Sequence, residues 1–176
     1  MQNSVRIVST KVLLSNQKQE LLNANFDLIE ADFIKTVDRD FELTELNDNL
    51  IFTSQNAVRS FFKHPKFEEL KPKLQQKNVF CVGLKTKILL SEAGFNVVAY
   101  TGYASDLAEI ITLNYANESY TFFSGNLRRE TLPEALKEAG VKFNEIQVYE
   151  TSLTPHKIKT PADAILFFSP SGVESY

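Results

Sequence analysis

A chain of 176 residues is long enough for one ordinary domain or two small ones. Its 19 basic and 22 acidic residues leave a formal charge of −3, the wrong sign for the basic face that nucleic acid requires. No apolar run reaches the ~18–20 residues that span a bilayer, and the single cysteine, Cys81, excludes an internal disulfide and points to a reducing, cytoplasmic setting.

In chain order, residues 5–9 alternate and predict a strand. Ser15 is the expected cap of a short helix over 17–23, and 26–33 returns to strand character. Residues 36–49 are polar and acidic and read as a crossing segment. A strand over 50–53 follows. Ser54 or Gln55 caps a helix through Val58, Phe61 and Phe62, which His64-Pro65 ends. Residues 67–77 read as a lysine-rich, solvated link. Residues 79–82 form a buried strand, and 86–93 a helix closed by Gly94. A strand over 95–100 and a helix over 106–113, capped by Ser105, come next. Residues 120–123 are again strand. The helix after them runs from about Arg128 to Ala139 and stops at Gly140. Residues 145–151 alternate as a strand, 154–161 form a loop, 164–168 a last strand, and 172–176 the opening of a helix. Phe52, Phe80, Phe122, Phe123, Phe167 and Phe168 lie in these strand runs and are expected in the core. A terminal buried strand with only five helical residues after it reads as part of a longer polypeptide, the alternative being a frayed terminus.

Strands alternating with helices of roughly ten residues predict a parallel, doubly wound α/β architecture, whose ligands sit beyond the carboxyl ends of the strands. Four strand ends there share one plan. Each apolar run stops at Ser, Thr or Gly and a helix begins: Thr53-Ser54, Gly83 with Thr86, Ser124-Gly125-Asn126, and Ser169-Pro170-Ser171-Gly172. Helix N-termini carry unpaired N–H groups and partial positive charge, so such corners suit an anionic ligand; Ser and Gly also serve there as plain caps. Neither a phosphate-binding Gly-Lys-Ser/Thr loop nor a G-x-G-x-x-G fingerprint occurs. Arg128 and Arg129, placed against the helix dipole, read either as anion ligands or as partners of Glu130 or Glu134. His64 and His156 have no partner at metal-ligand spacing, so no metal site is expected. Cys81 reads as an inert core thiol.

These residues resemble the uroporphyrinogen-III synthase family. The most specific stretch is Phe123-Ser-Gly-Asn-Leu-Arg-Arg-Glu-Thr-Leu-Pro-Glu-Ala-Leu-Lys137, followed by Val148-Tyr-Glu-Thr151. Ile51-Phe-Thr-Ser54 with Ala57-Val58, Val82-Gly83 with Thr86, and Phe167-Phe-Ser-Pro-Ser-Gly-Val173 support it in the same order. One departure is Ser9-Thr10-Lys11, where many bacterial relatives carry Thr-Arg-Pro; a lysine point charge replaces a bidentate fork.

The resemblance implies two Rossmann- or flavodoxin-like parallel-sheet domains joined by a two-stranded β connection. The first domain would be discontinuous and incomplete here, with residues 1–33 and 153–176; the second would cover 36–149. Residues 30–35 and 147–153 would form the connection. The implied substrate is hydroxymethylbilane, with eight carboxylates, cyclised with loss of water and inversion of the terminal pyrrole. No cofactor, metal, nucleic acid or membrane partner is implied, and a monomer is expected. Tyr149 matches the family's candidate proton donor. Thr53, Ser54, Thr86, Ser124, Gly125, Asn126, Ser169, Ser171, Gly172 and Lys11 are the implied substrate-binding positions. The alternative is a non-catalytic binding module for a polyanionic tetrapyrrole.

Overall fold

Apolar side chains on consecutive positions, as in 50–52 and 120–123, suit strands covered on both faces. In the computed structural model, which describes residues 4–43 and 45–176, they do form the middle of a parallel sheet. Residues 1–3 of the expected first domain lie outside the described residues. The elements run β1 Arg6–Ser9, α1 Ser15–Asn23, β2 Asp27–Glu30, β3 Ile34–Asp38, β4 Asn49–Phe52, α2 Gln55–Phe62, α3 Phe67–Leu74 and β5 Asn78–Val82. They continue with α4 Leu84–Glu92, β6 Asn96–Thr101, α5 Ala104–Asn114, β7 Ser119–Gly125, α6 Thr131–Glu138, β8 Lys142–Leu153, β9 Ala164–Leu166 and α7 Pro170–Ser175. The chain divides into two compact units, Val37–Glu150 and Met1–Thr36 with Thr151–Tyr176.

The six-stranded sheet has the order β3-β8-β7-β4-β5-β6; β4 to β7 belong to the larger unit, and β3 and β8 run on into residues of the smaller one. From β8 to β6 every pairing is parallel, with Ile51 beside Phe80 and Phe122. Alternation along these strands sends Leu50, Phe52, Val79, Cys81 and Phe123 to one face, where Ala57, Val58, Phe61, Phe67, Leu74 and Leu90 of α2, α3 and α4 cover them. Ile51, Phe80, Tyr120 and Phe122 go to the other, under Leu107, Ala108 and Ile111 of α5 and Leu132 and Leu136 of α6. Helices therefore cover both faces, and Phe61 anchors the first with ring centroids 5.3 Å from Phe52, 4.8 Å from Phe123 and 5.4 Å from Phe67. β3 runs antiparallel to β8: the Arg39 N–H donates to the Val148 carbonyl and the Thr154 N–H to the Phe33 carbonyl, so the partners advance in opposite directions.

The smaller unit holds a parallel sheet of order β2-β1-β9, with Ile7 beside Leu28 and Ala164. Phe33, Ile7 and Val8 are its buried apolar residues together with Leu13. Lys18 and the Leu13 N–H bond the Glu30 carboxylate, which they hold below its ordinary pKa.

Several local expectations are corrected. Residues 67–74 form helix α3, whose Phe67 and Leu74 are buried seven positions apart while the lysines between face water. β9 ends at Leu166, and Phe167 and Phe168 are 41% and 49% exposed, because the pairing with β1 stops at Ser9. Tyr103, not Ser105, occupies the cap position of α5; the Ser105 hydroxyl donates to the Asp106 carboxylate instead. Leu14 rather than Ser15 precedes α1. α6 begins at Thr131, so Arg128 and Arg129 lie before it.

The two glycine stops behave as the pattern predicts. Gly94 and Gly140 have φ of +85° and +70°. An added Cβ at Gly140 would meet nothing within 4 Å, so only its backbone demands glycine. Gly140→Ala should cost about 1 kcal/mol through the left-handed penalty alone, a thermal midpoint lowered by roughly 2–4 °C. An unchanged melting curve would show that this stop tolerates a side chain.

Candidate functional site

The carboxyl ends of β4, β5 and β7 are neighbours in the larger unit, so the residues that follow them gather on one edge of its sheet. After β4, Thr53 is half-buried and Ser54 caps α2, its Oγ accepting the Ala57 N–H at 3.1 Å. After β5, Gly83 takes φ +90° and opens α4 with no side chain closing its N-terminus. Thr86 is buried there, with its hydroxyl 3.6 Å from where a Cβ on Gly83 would stand.

Ser124, Gly125 and Asn126 follow β7, but the corner is built differently from the other two. A helix does not start at the turn, because α6 opens only at Thr131 with Glu130 at its cap position and Glu134 in its first turn. Acidic groups there suit the helix dipole, as arginines would not. Arg128 turns instead to β8. Its Nη2 donates to Glu145 Oε2 at 2.7 Å, its Nε to Glu145 Oε1, and its Nη1 to Glu130 Oε1 at 2.6 Å. The buried Ser124 hydroxyl donates to Glu145 Oε1 at 2.5 Å. Of the two readings of Arg128, the ion pair therefore holds, with Glu130 and with Glu145, seventeen positions along the chain. Burial by itself would raise the Glu145 pKa; the bonds from Arg128 and Ser124 outweigh it and hold the carboxyl below its ordinary range. The bond to Glu145 likewise raises the Arg128 guanidinium. The Ser124 hydroxyl is thus engaged inside the protein.

Tyr149, on β8 beside the end of β7, completes this group. Ser54 Oγ donates to Tyr149 Oη at 3.1 Å. With one bond accepted from Ala57 and one donated to the phenol, Ser54 leaves the tyrosine's own hydroxyl hydrogen for another acceptor. Ser54, Gly125 and Tyr149 are brought together; Thr53 and Asn126 adjoin them in sequence, and Thr86 stands one strand further along.

In the smaller unit the ends of β1 and β9 are neighbours. The Thr10 hydroxyl donates to the Leu166 carbonyl at 3.0 Å, and Ser169 caps α7 by accepting the Gly172 N–H at 3.1 Å. Ser171 lies 3.1 Å from the Ser169 hydroxyl. Gly172 is buried, and a Cβ there would sit 3.4 Å from both Ser169 Oγ and Thr10 Oγ1. Lys11 is exposed, and no ion pair engages its ammonium among the described residues.

Other features carry no such chemistry. Burial raises the Cys81 thiol to about 11, which keeps it protonated and unreactive. Among the described residues no group of three or more His, Cys, Asp or Glu is placed to hold a metal ion, and no helix is long and apolar enough to cross a membrane. A polar cleft of about 750 Å³, lined by Asp48, Asn49, Lys73, Lys77, Ser119 and Lys142 among others, lies at the opposite, amino ends of β4, β5, β7 and β8.

Comparison with known proteins adds the relationships. The model of the family described as Uroporphyrinogen-III synthase HemD matches residues 17–176. A uroporphyrinogen-III synthase of Chlorobaculum parvum (strain DSM 263 / NCIMB 8327) is 30% identical over 143 residues, covering 72% of this chain and 57% of that protein. The chain thus spans little more than half the length of this relative. The crystal structure of uroporphyrinogen-III synthetase from Helicobacter pylori 26695 matches 97% of this chain and 76% of its own at a TM-score of 0.68 and 21% identity. A mutant uroporphyrinogen III synthase of the extremely thermophilic bacterium Thermus thermophilus matches 86% and 64% at a TM-score of 0.70 and 19% identity. Likeness at such identities fixes the fold.

Proposed function

Since the chain belongs to the uroporphyrinogen-III synthase family, we propose that the protein cyclises hydroxymethylbilane to uroporphyrinogen III, working as a cytoplasmic monomer without a cofactor. The hydroxymethyl C–O bond breaks and the hydroxyl departs as water once it has taken a proton. The terminal pyrrole then inverts through a spiro intermediate and the ring closes.

The observation that carries this reading is the Ser54–Tyr149 pair. Tyr149 Oη accepts from Ser54 at 3.1 Å, which leaves its hydrogen to be given to the departing hydroxyl. The substrate's carboxylates need donors more than a nucleophile, and the edge of the larger unit supplies them. The N–H groups opening α2 and α4, with the hydroxyls of Thr53 and Thr86 and the side chain of Asn126, are the proposed contacts there. Gly125, itself buried, lets its backbone pack directly against the Tyr149 ring beside them. Lys11, Ser169, Ser171 and Gly172 of the smaller unit are the further proposed carboxylate contacts. Ser124 contributes through Glu145 and the shape of its turn, its hydroxyl being committed.

The test is a coupled assay in which the full-length protein receives freshly made hydroxymethylbilane and the ring isomers are separated. The type III isomer should dominate. Accumulation of the spontaneous type I isomer alone would reject the enzymatic reading, and tetrapyrrole binding without type III product would leave a binding module in its place.

A further inference from the structure

We propose that Gly125 is a positioning residue for Tyr149, holding the phenol at one orientation by bringing bare backbone against its ring. This rests on the reading of Tyr149 as proton donor. A Cβ built on Gly125 would stand 2.3 Å from Tyr149 Cζ, 2.5 Å from Cε2 and 2.8 Å from Oη. Gly125 is not among the residues with positive φ. Its backbone therefore does not demand glycine; the tyrosine does.

The two residues meet through an irregularity in the sheet. Ser124 lies beside Gln147, but the next residue, Gly125, lies beside Tyr149 rather than Val148. One extra residue on β8 at this bulge carries the tyrosine to the end of β7. Arg128 then locks the turn from two sides. Its backbone N–H donates to the Gly125 carbonyl at 3.3 Å, and its guanidinium grips Glu145, which also takes the Ser124 hydroxyl. The ring is thus bounded by Gly125, whose place the Arg128–Glu145 pair fixes, and tethered at its hydroxyl by Ser54. Its freedom is removed before any substrate arrives.

A methyl group at position 125 would force the ring back by about 1 Å to reach ordinary contact, and a misplacement of that size costs roughly a hundredfold in rate. Four full-length proteins give the test: wild type, Gly125→Ala, Tyr149→Phe and the double variant, with kcat and KM for type III formation. Gly125→Ala should lower kcat about a hundredfold with KM little changed. In the double variant it should add nothing to the loss caused by Tyr149→Phe, since no hydroxyl remains to misplace. Losses that multiply would overturn the proposal while leaving Tyr149 as donor. Full turnover in Tyr149→Phe would remove the donor role and the proposal with it. If Gly125→Ala alone does not fold, the same change is made beside Tyr149→Ala, which deletes the obstructing ring. Recovery of the fold supports the contact, and continued misfolding overturns it.

Discussion

Tyr149→Phe should lower kcat for type III formation by roughly a hundred- to ten-thousandfold, the range supplied by a positioned proton donor, with KM near its wild-type value. The ring stays: its edge still packs on Gly125 and the larger unit still closes around Val148. Only the hydroxyl is lost, together with the bond from Ser54. Ser54 keeps its capping bond to Ala57, so α2 is not disturbed. A loss confined to kcat marks an interaction made only in the transition state. Equal losses in turnover and in product binding would mark Tyr149 as a packing residue and return the site to a binding role.

Arg128→Ala should produce the second large effect, on stability. Arg128 and Glu145 retain 17% and 20% side-chain exposure, so the pair is mostly withdrawn from water. Removing the guanidinium leaves Glu145 with the Ser124 hydroxyl alone among those bonds, and the expected cost is about 3 kcal/mol, the lower edge of the range for breaking a buried pair. In a chain of this length that is a midpoint drop of roughly 6–12 °C. The pH dependence has a defined sign. Glu145 titrates below its unfolded value, so between the two values the unfolded chain binds more protons. The stabilisation is complete above about pH 4.5, the ordinary glutamate value, and is lost as the pH falls through the lower folded one. Denaturant titrations of wild type and Glu145→Gln across that interval should converge toward acid. Parallel curves at every pH would show that the pair contributes nothing to folding.

The framework of the larger unit was legible because its strands are apolar on consecutive positions and its helices end at Gly94 and Gly140. Ser54 and Ser169 were readable as caps for the same local reason. Where a residue's role depends on a partner far along the chain, the pattern was silent. Arg128 reads like the start of a helix until Glu145, seventeen positions on, is brought beside it by the pairing of β7 and β8. The need for glycine at 125 comes from a ring on the next strand and from a one-residue slip, neither visible in a run of letters. α3 was hidden by Pro72 and by lysines that mask two buried positions a heptad apart. β3, half-exposed at Ile34 and exposed from Lys35 to Asp38, has no apolar period to announce it.

The path of β3 and β8 also makes one stretch of chain an insert within the other. Residues 37–150 form one uninterrupted stretch, whereas the other unit must join Thr36 and its predecessors to Thr151 and its successors. Closing that gap across an unfolded insert would cost on the order of 4 kcal/mol in chain entropy. Once the insert has condensed, Arg39 is already bonded to Val148, and the two open ends emerge side by side at Thr36 and Thr151, whose hydroxyl oxygens are 3.5 Å apart. The inserted stretch thus acts as an entropic staple for the segments that flank it.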